Sequence, residues 1–162
     1  VEGLLSLLPK AKDAAVNAII IGCFDDTGLR RIRAAAHCPV IGIGHAAMSL
    51  AALHGSRFGI VTSLDISVPV IAANVDLYGY RDACVGVFAS GLPVLEIERG
   101  GSQVEEQLAK TIVGAKSAGA EAIVLGCAGM SRLRHRLSNR TDTVLIDGVV
   151  ASAIFAQALT CR

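Results

Sequence analysis

Residues 122–127 have the sequence Ala-Ile-Val-Leu-Gly-Cys, in which four apolar residues lead into a glycine and a cysteine. Such a short apolar run, rich in Val and Ile, is typical of a buried β-strand. Similar runs recur along the chain and alternate with helical patterns, as in a parallel sheet that helices cover on both faces. The sequence therefore predicts an α/β fold with strands at 17–23, 40–44, 58–63, 84–89, 122–126 and 144–147.

The segments between these runs have helical spacing of their apolar residues. Gly55 and Gly119 stand where the C-terminus of a helix needs a residue that tolerates positive φ. Residues 98–102 are the most loop-like part of the chain. Helices are predicted at 29–36, 46–53, 68–77, 103–117, 132–137 and 149–159.

A second Gly-Cys run, at 18–23, matches the run at 122–127 when the chain is shifted by 104 positions. The match continues from Lys12, which meets Lys116, to Ala47, which meets Ala151. This repeat predicts two pseudo-symmetric lobes, one of residues 1–54 completed by a C-terminal helix at 149–162 and one of residues 55–148. Only the second lobe has a strand, 58–63, ahead of its Gly-Cys run, so we expect the N-terminal strand of the first lobe to be missing.

The composition excludes several classes of protein. The chain has 162 residues with 15 basic and 14 acidic side chains, and a net charge of +1 gives no electrostatic footprint for nucleic acid. The longest near-continuous apolar run, 14–24, is shorter than the ~18 residues of a membrane span. No signal peptide is recognisable. We therefore expect a soluble, cytoplasmic protein with a small-molecule ligand and with neither nucleic acid nor membrane as a partner.

The five cysteines show no metal-binding or disulfide pattern. No CxxC pair or close Cys/His pair is present, which argues against a zinc site. An odd number of cysteines in a cytoplasmic chain argues against a disulfide framework. Cys38, Cys84 and Cys161 are therefore interpreted as structural, and the same interpretation is the alternative for the two Gly-Cys positions.

Cys23 and Cys127 lie at the carboxyl ends of predicted strands, where open α/β sheets bind ligands. Each precedes a predicted helix, whose N-terminus favours a thiolate and can hold an oxyanion. Gly22 and Gly126 carry no side chain where the backbone must approach a ligand. Two such half-sites would place two thiols on opposite sides of one cleft. A racemase needs this arrangement, because one group removes a proton and the other delivers one to the opposite face.

Helix capping residues are predicted beside both cysteines. Asp25 or Asp26 is expected to cap the helix after the first cysteine, and Ser131 the helix after the second.

Three strings, at 21–29, 39–48 and 121–130, resemble the hydantoin/allantoin racemase branch of the Asp/Glu racemase superfamily. The resemblance extends over nearly the whole chain. It implies two αβα lobes with parallel four-stranded sheets, assembled into a homo-oligomer. It also implies a cofactor-independent racemase of 5-substituted hydantoins or of allantoin, with Cys23 and Cys127 as alternating acid and base and with no metal.

Further residues are expected to bind the substrate around the two thiols. Backbone N–H groups near Phe24, Asp25, Ala128 and Gly129 would hold an enolate-like oxygen. Thr62 and Ser63 would contact the polar edge of the ring. The glycines at 22 and 126 complete this set.

Three other functions stay open at this point. Residues 42–47 match the dinucleotide pattern G-x-G-x-x-A, and Asp65 follows at the spacing of a ribose-binding acid. The equivalent stretch in the repeat, 146–151, keeps only the second Gly and the last Ala, which favours a tight strand-to-helix turn over a nucleotide site. A decarboxylase of the arylmalonate type resembles the same superfamily but needs only one catalytic cysteine. A small-ligand binding protein would tolerate Ser at both cysteine positions.

Overall fold

The computed structural model describes residues 1–55 and 57–161, so residues 56 and 162 of the two predicted lobes lie outside the described residues. All six predicted strands are present, four of them with slightly shorter bounds and those at 84–89 and 144–147 with the predicted bounds. The strands are β1 (Ile19–Ile21), β2 (Val40–Gly42), β3 (Phe58–Thr62), β4 (Cys84–Ala89), β5 (Ala122–Leu125) and β6 (Val144–Asp147). The helices are α1 (Glu2–Leu5), α2 (Leu8–Asp13), α3 (Leu29–Ala35), α4 (Ile43–Leu53), α5 (Val68–Leu77), α6 (Val94–Arg99), α7 (Ser102–Ser117), α8 (Arg134–Thr141) and α9 (Gly148–Thr160).

The strands form two parallel sheets, which confirms the α/β class. One sheet has the order β4-β3-β5-β6, and the other pairs β1 with β2. The four-stranded sheet was expected in both lobes, but the first sheet has two strands in the described part of the chain. The residues ahead of β1 form helices α1 and α2 instead of strands. The predicted lobe boundaries stay a prediction.

The four-stranded sheet is buried on both faces because its side chains alternate between two apolar clusters. Val61, Ile123 and Leu125 face a cluster that includes residues of α6, α7 and α8. Phe58, Ile60 and Val124 face a second cluster with residues of α4 and α5. Helix α4 follows β2 in the chain yet packs on β5 and β6 as well. It therefore joins the two sheets and brings their carboxyl ends together.

The two halves repeat the same strand pairing with a small offset. β1 pairs with β2 as β5 pairs with β6, and α4 and α9 pack against each other. The partner of Val40 is Ile19, whereas the partner of Val144 is Ala122. A shift of 104 residues would pair Val144 with Ile123, so the two registers differ by one residue.

Two helix ends and one loop were predicted from the positions of glycines and polar residues. The helix endings at Gly55 and Gly119 are confirmed, with φ of 77° and 101°. The loop predicted at 98–102 is confirmed only at residues 100–101, because α6 runs to Arg99 and α7 begins at Ser102. Helix α6 is anchored by the fully buried Ile97. No helix in the described residues is both long and apolar enough to span a bilayer.

Candidate active site

Cys23 and Cys127 line the same cavity, whose volume is about 230 Å³. The cavity lies at the carboxyl ends of β1 and β5, since each cysteine comes two residues after its strand ends. The repeat and the sheet pairing thus bring together two thiols that are 104 residues apart in sequence. The lining residues are Gly22, Cys23, Phe24, Asp25, Ser63, Ser67, Val94, Gly126, Cys127, Ala128 and Gly129.

Cys127 is positioned by a tight contact between β5 and β3. The N–H of Gly126 donates to the carbonyl of Val61 at 2.7 Å, and Thr62 Oγ1 donates to the carbonyl of Gly126 at 3.1 Å. A Cβ on Gly126 would lie 2.8 Å from the oxygen of Val61, so only glycine fits without a shift. After Cys127 the chain enters a 3-10 helix, and the N–H of Met130 donates to the carbonyl of Cys127 at 3.0 Å.

The Cys23 loop (residues 23–26) makes the same turn. The N–H of Asp26 donates to the carbonyl of Cys23 at 3.0 Å, as Met130 does with Cys127. Asp26 has φ of 50°, a left-handed conformation that is unusual outside glycine. The predicted equivalence of the two Gly-Cys segments therefore extends to the turn that follows each cysteine.

Burial raises the pKa of the Cys127 thiol, and the nearby charges of Cys23 and Asp25 raise it further. The N–H groups of Gly129 and Met130 face the sulfur and lower the pKa, but they do not offset the burial. The expectation that a helix N-terminus favours the thiolate is therefore wrong for Cys127. The segment that follows it is a six-residue 3-10 helix, whose dipole is short.

Most of the residues predicted to bind substrate line the cavity, and Thr62 does not. Thr62 is fully buried, and its hydroxyl donates to the carbonyl of Gly126 instead of facing the cavity. Ser67 and Val94 line the cavity and were missed. Ser67 precedes a helix with Pro near its start, a recognisable signal, whereas Val94 belongs to a helix that the sequence did not reveal.

Several polar groups around the cavity have no partner in the described chain. The N–H groups of Phe24, Asp25 and Ala128 donate to no oxygen there, whereas that of Gly129 faces the sulfur of Cys127. The hydroxyls of the two lining serines make no hydrogen bond within the described chain. The carboxyl of Asp25 is half-buried, and burial raises its pKa. These groups can bind the oxygens and N–H groups of a small polar ligand.

The capping predictions are wrong in their targets. Asp26 accepts from the N–H groups of Gly44 and His45, so it caps α4 rather than α3. Ser131 donates to the carboxylate of Asp147 and caps no helix. In both cases a turn separates the cysteine from its next α-helix.

The glycines of the dinucleotide-like pattern are in close contact with the Cys23 loop. A Cβ on Gly42 would lie 2.1 Å from Oδ1 of Asp26, and one on Gly44 would lie 2.3 Å from the carbonyl of Phe24. Because these glycines have no side chain, the Cys23 loop packs directly against them and fills the space that a pyrophosphate would need. In residues 1–55 and 57–161, no three His, Cys, Asp or Glu side chains are grouped to hold a metal ion.

A second cavity, of about 340 Å³, adjoins the first. The two share Val94, Ala128 and Gly129 as lining residues, and Glu98 and Arg132 complete the second. Glu98 and Arg132 form no ion pair with each other or with any other described residue. A carboxylate and a guanidinium group therefore flank the cavity next to the two thiols.

Residues 1–156 match the family model described as Asp/Glu/Hydantoin racemase. The chain belongs to this family. It is 45% identical over 160 residues to the hydantoin racemase of Rhizobium meliloti, with 98% of this chain and 66% of that protein covered. The chain thus spans slightly less than two-thirds of that relative.

Solved structures agree with this assignment. The allantoin racemase from Klebsiella pneumoniae has a TM-score of 0.89 and 35% identity, covering 97% of this chain and 64% of that one. An arylmalonate decarboxylase has a TM-score of 0.68 at 13% identity, covering 99% of this chain and 75% of that one, and this likeness concerns the fold alone.

Proposed function

We propose that this chain forms the two-thiol site of a cofactor-independent racemase that acts on 5-substituted hydantoins. The observation that carries the proposal is the presence of Cys23 and Cys127 in one cavity. The two cysteines come from equivalent strand ends, which favours approach to a ligand from opposite sides. The hydantoin racemase of Rhizobium meliloti supports the same substrate class.

The proposed reaction is a proton exchange at C5 of the ring. The thiolate of one cysteine takes the C5 proton, and the electron pair left on carbon is delocalised onto the adjacent carbonyl oxygen. The thiol of the other cysteine then gives its proton to the opposite face of C5. The product is the mirror image, the base is now a thiol and the acid a thiolate, and no electrons are gained or lost overall.

The resting protonation state of Cys127 follows from its pKa. Because burial raises that pKa, Cys127 holds its proton near neutral pH and can give it to C5 as the acid. When Cys127 serves as the base, it must first lose that proton. N–H groups at Phe24, Asp25, Ala128 and Gly129 would hold the enolate oxygen, and Ser63 would bind the polar edge of the ring.

Allantoin, which is itself a 5-substituted hydantoin, is the second candidate substrate. The lining of the adjoining cavity supports this candidate. The 5-substituent of allantoin is a ureido group, which has a carbonyl acceptor and N–H donors. Arg132 can donate to such a carbonyl and Glu98 can accept from such N–H groups. The allantoin racemase from Klebsiella pneumoniae supports this candidate.

The arylmalonate-type decarboxylase is the weaker alternative. That chemistry would require one cysteine, whereas two line this cavity. The cavity also lacks a cation among its described lining residues, and a dicarboxylate substrate would meet the carboxylate of Asp25.

All five cysteines are free, which suits a reducing compartment such as the cytoplasm. Apolar side chains exposed on α9, among them Val150, Ile154 and Leu159, suit a homo-oligomer. The proton exchange needs no metal or organic cofactor.

The proposal is tested by the optical activity of single enantiomers of allantoin and of 5-benzylhydantoin. We expect the circular dichroism of at least one of them to decay to zero with the protein and to persist with the Cys23→Ser/Cys127→Ser variant. Tight binding without decay, retained by that variant, would instead establish a binding protein.

A further inference from the structure

The Cys23 loop is held by one buried carboxylate. Asp26 is 5% exposed, and its Oδ1 accepts from the N–H of Gly44 at 3.1 Å. Its Oδ2 accepts from the N–H of His45 at 2.7 Å and from Tyr78 Oη at 2.9 Å. Three donors from two helical regions thus meet on a single side chain, which fixes its place.

Two glycines next to the Cys23 loop leave the space that this side chain and its loop occupy. The position of a Cβ on Gly42 would overlap the carboxylate of Asp26, and one on Gly44 would come within 2.3 Å of the carbonyl of Phe24. Both glycines have φ outside the left-handed region, so their backbone conformation does not require glycine. The close approach of the Cys23 loop is the reason for glycine at both positions.

The backbone of the same loop is held at two more points. The N–H of Asp26 donates to the carbonyl of Cys23 at 3.0 Å. Asn74, on α5, donates from Nδ2 to the carbonyl of Asp25 at 2.9 Å. Residues 25 and 26 therefore supply the polar contacts that hold the loop, and the buried side chain of Phe24 packs in an apolar cluster beside them.

The equivalent loop after Cys127 is held differently. The repeat places Met130 opposite Asp26, and Met130 is fully buried in the apolar cluster beneath the four-stranded sheet. Its N–H makes the same turn to the carbonyl of Cys127, but its side chain contributes packing instead of hydrogen bonds. A buried carboxylate thus holds the turn after Cys23, whereas a buried apolar side chain occupies the same place in the turn after Cys127.

We propose that Asp26 is a positioning residue for Cys23 and so controls one of the two proton transfers. This inference rests on the proposed racemase activity. Loss of the carboxylate would let the Cys23 loop shift while β5 and the Cys127 turn stay in place. A displacement of about 1 Å can cost about 100-fold in rate, and this cost would fall on the Cys23 step alone.

The test is made in D₂O with each pure enantiomer of the substrate, and it compares the rate of hydrogen exchange at C5 with the rate of inversion. Racemisation must slow equally in both directions, because the two enantiomers are equal in free energy. In Asp26→Asn we expect racemisation to fall about 10- to 100-fold. For the enantiomer that Cys127 deprotonates, the rate of exchange without inversion should stay within about threefold of wild type. For the other enantiomer, which Cys23 deprotonates, this rate should fall. The Cys23→Ser variant identifies the enantiomer that Cys127 deprotonates, since only Cys127 remains as a base.

Two variants serve as controls. Tyr78→Phe removes one of the three donors and keeps the ring, so it should show a smaller effect on the enantiomer that Cys23 deprotonates. Asp76→Asn makes the same change on an exposed carboxylate of α5 that pairs with Arg81, and should leave the exchange of both enantiomers unchanged. If the exchange rate in Asp26→Asn fell equally for both enantiomers, or did not fall at all, the proposal would be overturned.

A measurement without substrate separates this inference from the proposed function. The alkylation rates of Cys23 and Cys127 by iodoacetamide are followed by peptide mass spectrometry. In Asp26→Asn the rate at Cys23 should change several-fold, while that at Cys127 should not. If the wild type racemises no hydantoin, the proposed function fails, and this result still decides whether Asp26 positions Cys23. Equal changes at both thiols would mean that Asp26 acts on overall stability.

Discussion

Replacement of Gly126 by alanine tests whether the contact between β5 and β3 positions Cys127. The new methyl would lie 2.8 Å from the carbonyl oxygen of Val61, and ordinary contacts begin at 3.4 Å. The strand end must therefore move by about 0.6 Å or more, because the obstacle is backbone. Overpacking of this kind costs about 1–3 kcal/mol, which lowers Tm by about 2–12 °C for a chain of this size. A shift of this size at the adjacent thiol should lower racemisation about tenfold or more.

Gly22→Ala is the matched control, because Gly22 is the counterpart of Gly126 in the repeat and a Cβ there meets nothing within 4 Å. We expect its Tm to stay within about 1 °C of wild type, since surface changes are worth under about 0.5 kcal/mol. Thermal melts followed by far-UV circular dichroism measure both variants. Equal Tm values for the two would refute the reasoning from the close contact.

Four further predictions follow. Because its pKa lies above that of an ordinary thiol, Cys127 should be alkylated faster as the pH rises past about 9, whereas a plateau below about pH 8 would contradict the burial argument. Thr62→Val should lower stability by about 1 kcal/mol and leave KM unchanged; a raised KM with normal Tm would instead place the hydroxyl on the substrate. Arg132→Gln should lower kcat/KM for allantoin about tenfold, as for loss of a charge-assisted hydrogen bond, but leave 5-methylhydantoin unaffected; equal loss for both would exclude a role in reading the ureido group. Dialysis against EDTA should leave activity unchanged, and recovery of lost activity by zinc would show that a metal takes part.

The sequence predicted the strands well because buried parallel strands are short, continuous apolar runs. It also predicted that Cys23 and Cys127 share one site, since the carboxyl ends of the strands in an open α/β sheet gather at one edge. The repeat was decisive here, because two equivalent strand ends define two sides of one cleft. The short helix α6 was missed because Gly100 and Gly101 follow it directly and give its C-terminal end the composition of a loop.

The sequence could not reveal the contacts that hold the cysteine loops. Asp26 was expected to cap the nearest helix in sequence, yet its carboxylate reaches α4, 18 residues further on. The glycines at 42 and 44 were interpreted as a tight strand-to-helix turn that mimics a nucleotide pattern, and only the structure shows that the Cys23 loop packs against them. The direction of the pKa shift at Cys127 also depends on burial, which competes with the N–H groups that the sequence does suggest.

The central claim is that each thiol works on one face of C5, and single substitutions of the thiols test it most directly. In D₂O, the Cys23→Ser variant should exchange the C5 hydrogen of one enantiomer without inverting it, through Cys127. The Cys127→Ser variant should do the same with the opposite enantiomer, since a serine hydroxyl is too weak an acid to serve in place of the missing thiol. NMR of each pure enantiomer measures the exchange, and chiral chromatography measures inversion. Full racemisation by either variant, or exchange of the same enantiomer by both, would contradict the two-thiol mechanism.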